Sequence, residues 1–88
     1  MKNRIEIINE KGLHARASAK FVEVVECYDA SVIVSKDGLD VTGNSIMGLM
    51  MLAASKGTYI EISTSGKEAE NLSYALIALI DGYFGEGC

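Results

Sequence analysis

The stretch Thr58-Tyr59-Ile60-Glu61-Ile62-Ser63-Thr64 sets Tyr59, Glu61 and Ser63 against Ile60 and Ile62. Successive strand side chains point to opposite faces, so this alternation predicts an antiparallel-type strand with one apolar and one wet face. A sheet wet on one side carries its helices on the other, which gives two layers.

The flanking residues extend that reading. Ser65-Gly66 turns into a last helix, about Lys67 to Phe84, opened by Lys67, Glu68 and Glu70, with Ala69, Leu72, Leu76, Leu79, Ile80 and Tyr83 as its inward stripe. Gly85 to Cys88 reads as a frayed tail. Upstream, Ser55-Lys56-Gly57 closes a short helix, about Ile46 to Ala53, that is apolar on nearly every side. Asn44 or Ser45 is placed to cap it by accepting from an orphan backbone N–H. Before it, Ser31 to Ser35 and Leu39 to Thr42 read as strands, and Asp37-Gly38 between them is a strong hairpin signal. Nearest the N-terminus, Lys2 to Ile8 alternates as a strand. About Ala15 to Cys27 is helical, with Ser18, Phe21, Val22 and Val25 inward and Lys20, Glu23 and Glu26 outside. The order is β-α-β-β-α-β-α, an α+β open-faced two-layer sandwich.

Eighty-eight residues make one domain, 1–88, and a 49% apolar fraction fills one modest core. Cys27 and Cys88 are too few and too far apart for a disulfide framework, and reduced thiols in the cytoplasm are expected. Cys27 reads as a small filler at a helix end. The N-terminus lacks the apolar core of a secretory signal, and no run approaches the roughly 18 apolar residues of a membrane span. A net charge of −4 disfavours a nucleic-acid footprint.

The chemistry points to Gly12-Leu13-His14-Ala15-Arg16-Ala17, which holds the only histidine. Asn9 to Gly12 reads as a loop and Phe21, Val22, Val25 and Tyr28 as a helix face, so His14 falls close to a helix N-terminus. There, unpartnered N–H groups and about half a positive charge attract an oxyanion. Arg16 adds a planar cation suited to phosphate oxygens. Neutral imidazole is a nucleophile near physiological pH. With no second histidine and no cysteine at ligand spacing, neither metal nor cofactor is expected.

Gly12-Leu13-His14-Ala15-Arg16, followed by a small-residue helix and Phe21-Val22, resembles the active-site segment of the HPr family, the histidine-containing phosphocarriers of the bacterial phosphotransferase system. Asn44-Ser45-Ile46-Met47-Gly48-Leu49-Met50-Met51-Leu52 resembles the family's regulatory-serine segment, and Lys56-Gly57-Thr58 and Ser65-Gly66 follow at the family's spacing. The likeness runs from about Arg4 to Phe84. It implies four antiparallel strands covered on one face by three helices. Most members carry proline after the motif arginine, whereas this chain has Ala17, a good helix former that adds a backbone donor. A segment without that proline looks like members from bacteria with mainly regulatory, nitrogen-related phosphotransferase chains.

The resemblance implies a carrier rather than an enzyme with its own turnover. His14 would accept a phosphoryl group, at Nδ1 in the family, from enzyme I charged by phosphoenolpyruvate, and pass it to an enzyme IIA-type protein for sugar transport or regulation. The amides of Ala15 and Ala17, with Arg16, would hold the oxygens. Lys20 is expected to face solvent. Ser45 would be modified by an HPr kinase/phosphorylase. Met47, Leu49, Met50 and Met51 would offer a partner surface, because methionine adapts to varied contacts. The protein would act as a monomer. Two rivals are a binding module of the same fold without histidine phosphotransfer, and an RNA-binding α/β module. The retained His14 and Arg16 argue against the first, and the acidic balance with a single strand aromatic, Tyr59, against the second.

Overall fold

The computed structural model describes residues 1–87. Four strands, β1 (Lys2–Glu6), β2 (Ser31–Lys36), β3 (Leu39–Thr42) and β4 (Tyr59–Ser65), form one sheet in the order β1-β4-β2-β3. All three pairings are antiparallel, with Ile5 opposite Ile60 and Val34 opposite Ile62. Three helices, α1 (Ala15–Glu26), α2 (Ile46–Met51) and α3 (Ala69–Asp81), cover the sheet, and a 3₁₀ turn spans Tyr83–Gly85. This is the expected α+β open-faced sandwich.

The alternation of β4 decides which face is covered. Ile60, Ile62 and Thr64 are buried together with Ile5, Val32 and Val34 on the neighbouring strands. They meet Phe21, Val22 and Val25 of α1, Leu49 of α2, and Leu72, Leu76 and Ile80 of α3 in one core. Thr64 and Ser73, both buried polar residues, are joined by a hydrogen bond between their hydroxyls, 2.7 Å apart, so neither is left unpaired. On the wet face the Arg4 guanidinium stacks 4.4 Å from the Tyr59 ring centroid.

Element ends differ from expectation for local reasons. β1 ends at Glu6, although Ile7 still exchanges backbone hydrogen bonds with Thr58 and Gly57. α2 ends at Met51, two residues early, because Ala53 turns left-handed at φ 51°. α3 starts two residues late; Glu68 gives it no side-chain cap and instead accepts from the Asp29 amide at 2.8 Å. At its far end α3 stops at Asp81, and Tyr83 and Phe84 both take positive φ. That reversal turns Tyr83, placed on the inward stripe by periodicity, to the surface, and buries Phe84 completely in its place. Asp37-Gly38 has positive φ at both positions, as a tight hairpin requires. Cys27 is exposed at the end of α1 rather than filling space, and Cys88 lies outside the described residues.

Candidate functional site at the start of α1

His14 is the N-cap of α1. Its backbone is extended, its carbonyl accepts from Ser18 N at 2.9 Å, and its side chain stays with the helix. Ring Nδ1 accepts from the Arg16 backbone N–H at 3.2 Å, the bond a serine or aspartate N-cap usually makes. The imidazole satisfies an orphan amide and lies in the positive field of the helix end.

Gly12 sets this position. At φ +63°, its backbone passes so close to the stretch after α2 that a Cβ would lie 2.2 Å from the Ala54 carbonyl oxygen. The adjoining Leu13 N–H donates to that same oxygen at 2.9 Å, and the Leu13 side chain is buried. His14 therefore leaves the loop with its backbone pinned.

Of the residues singled out from sequence, Arg16 lies beside His14, exposed, and makes no ion pair among the described residues. Ala15 is exposed, whereas Ala17 is fully buried where most relatives of the resembled family would carry proline. Lys20 does not simply face solvent: its ammonium donates to the Phe84 carbonyl at 2.7 Å. A shallow cleft of about 260 Å³ is lined by Glu10, Lys11, Arg16, Lys20, Gly85 and Glu86. Three cations against two carboxylates make it a place for an anion.

Two residues that sequence reasoning passed over complete the site. Glu86, assigned to a frayed tail, bonds through Oε2 to His14 Nε2 and accepts through Oε1 from Asn9 Nδ2 at 3.1 Å. Asn9, read as a turn former, is fully buried and also donates to the Gly12 carbonyl at 3.0 Å. No local pattern joins residue 9 or 14 to residue 86; the buried Phe84, whose carbonyl accepts from Lys20, brings the tail back to meet them. Burial is the largest influence on the Glu86 carboxyl and pushes its pKa up. The hydrogen bonds from Asn9 and His14 and the nearby charges of His14 and Lys11 outweigh it, holding the carboxyl below its usual range.

Ser45 caps α2, its Oγ accepting from Gly48 N at 3.0 Å. Met47 is 76% exposed, Met51 66% and Met50 43%, so three of the four residues named for the partner surface are free for contact. Leu49 is not: it is fully buried, because its turn of α2 points into the core.

The family model described as "PTS HPr component phosphorylation site" matches residues 1–81. The phosphocarrier protein HPr of Neisseria meningitidis serogroup B is 54% identical over 87 residues, covering 99% of this chain and 98% of its own. The chain belongs to the HPr family. Among solved structures, HPr-C-His from Thermoanaerobacter tengcongensis superposes with a TM-score of 0.93 at 40% identity, covering 98% of this chain and 97% of its own. An HPr dimer from the same organism superposes at 0.78 and 41% identity, covering 93% and 94%. HPr proteins are phosphocarriers of the phosphotransferase system, and the matched residues include the His14 segment.

Proposed function

We propose that His14 accepts a phosphoryl group from enzyme I and yields it to an enzyme IIA-type protein in the cytoplasm. The observation that carries this reading is the state of the ring: Nε2 is engaged by Glu86 while Nδ1 faces the helix-end amides. Nδ1 therefore keeps a lone pair, and a group bound there meets the N–H of Arg16, which the lone pair now accepts. The Ala17 amide and the Arg16 guanidinium lie on the same turn of α1 to share the charge. Phosphoryl transfer asks a protein chiefly for placement and charge neutralisation, and both are available here. A partly exposed helix end offers only about 0.3–2 kcal/mol, which suits cargo that must be released again.

Met47, Met50 and Met51, exposed on the helix packed against α1, serve in this reading as the docking surface for both partners. Ser45 takes a regulatory phosphate from an HPr kinase/phosphorylase. Such a group adds about −1.5 to −2 charges beside that apolar surface and changes partner choice more than folding. The carrier works as a monomer. The test is incubation with enzyme I and phosphoenolpyruvate. An acid-labile phosphate that disappears in His14→Ala supports the reading; an unlabelled wild-type protein, or a label that survives in His14→Ala, rejects it.

A further inference from the structure

We infer that Glu86 is a positioning residue for phosphoryl transfer, capping His14 Nε2 so that only Nδ1 is offered to phosphorus and facing the charge the ring then acquires. The inference rests on the reading of His14 as the acceptor and deepens it.

The geometry is built rather than incidental. Glu86 is held by two donors from different parts of the chain, the Asn9 amide and the imidazole. Asn9 is itself buried and tied to Gly12, two residues before His14. The tail that brings Glu86 in is anchored by the buried Phe84, whose carbonyl is clamped by Lys20. Phe84 takes the left-handed conformation at φ 52°, and Gly85 follows at φ 76°. A non-glycine residue held at positive φ persists only where its surroundings over-determine it. Only 11% of the Glu86 side-chain surface is exposed, and its carboxylate lies against the ring. The lowered carboxyl pKa agrees with a group that stays ionised there.

The step balances without moving a proton. Nδ1 gives its lone pair to phosphorus as the donor's bond to phosphorus breaks, and that bonding pair leaves with the donor. The ring keeps its Nε2–H, becomes a cation, and has the Glu86 carboxylate directly opposite. Hand-off returns the pair to Nδ1. Without the carboxylate, Nε2 is open to the same attack, and the phosphorylated ring sheds its proton more readily. It then becomes a poor leaving group.

The test uses phosphoramidate, a small-molecule donor, so that it runs without enzyme I. Phosphorus NMR distinguishes the two ring isomers. In wild type the product is expected at Nδ1 alone; in Glu86→Ala the Nε2 isomer rises at least tenfold. Glu86→Gln keeps an acceptor oxygen but loses the charge. It retains the Nδ1 preference, while the pH at which the phosphorylated ring loses its Nε2 proton falls by about one unit, a tenfold change. The other charged groups lining the adjacent cleft, Glu10, Lys11, Arg16 and Lys20, are the same in all three proteins. Equal isomer ratios in Glu86→Ala and wild type, or an unmoved pH midpoint in Glu86→Gln, overturn the inference. Failure of enzyme I to label His14 removes the carrier reading instead, and leaves the phosphoramidate result to stand for Glu86.

Discussion

At the scale of single residues, His14 caps α1 through Nδ1, which accepts from the Arg16 amide. Under the proposed carrier role, a phosphoryl group on Nδ1 would take over that amide. Arg16 is exposed and makes no ion pair among the described residues, so its substitution tests electrostatics without disturbing a core. Arg16→Ala is expected to slow enzyme I-dependent phosphorylation about 10- to 100-fold, the worth of one charge-assisted hydrogen bond, with unchanged thermal stability; rapid-quench labelling measures it. Gly12 is the opposite case. Gly12→Ala forces a methyl group against the Ala54 carbonyl at a positive φ, and is expected to destabilise by more than about 1 kcal/mol, read as a lower urea midpoint. His14, Arg16 and Gly12 were legible because each belongs to one short motif. Asn9 and Glu86 were not, since their roles exist only once the chain has folded back to join residues 77 positions apart.

At the scale of elements, periodicity located every strand and helix, and errors fell at the ends. The ends are decided by backbone reversals at Ala53, Tyr83 and Phe84, residue types that rarely take positive φ and so carry no local signal for it. Leu49 shows a second limit. In a helix apolar on all sides, composition does not say which side meets the sheet, and only packing separated the buried Leu49 from the exposed Met47 and Met51. α2 has only six residues, so its cap carries much of its local stability. Ser45→Ala removes the bond to Gly48 N and is expected to cost about 1 kcal/mol, seen as faster amide exchange confined to α2 and its neighbours.

At the scale of the whole molecule, one wet sheet face and one covered face were readable from the alternation of β4 alone. The closing of the C-terminal tail over the site was not. That closure links stability to pH. The Glu86 carboxyl has a folded-state pKa below its ordinary value of 4.5, so its contribution is fully present above that value. It is lost as pH falls through the depressed folded value, because the unfolded chain binds the proton first. Urea unfolding of wild type and Glu86→Gln is therefore expected to differ near pH 6, with the gap narrowing as pH falls below 4.5. A gap that stays constant across that range would remove Glu86 from the linkage. The claim on which the account turns is that the phosphoryl group is carried on the imidazole nitrogen facing the start of α1. Phosphorus NMR of the protein charged by enzyme I and phosphoenolpyruvate tests it most directly. The account predicts a single phosphohistidine signal assigned to Nδ1 of His14; a signal from Nε2, or from any other residue, would contradict it.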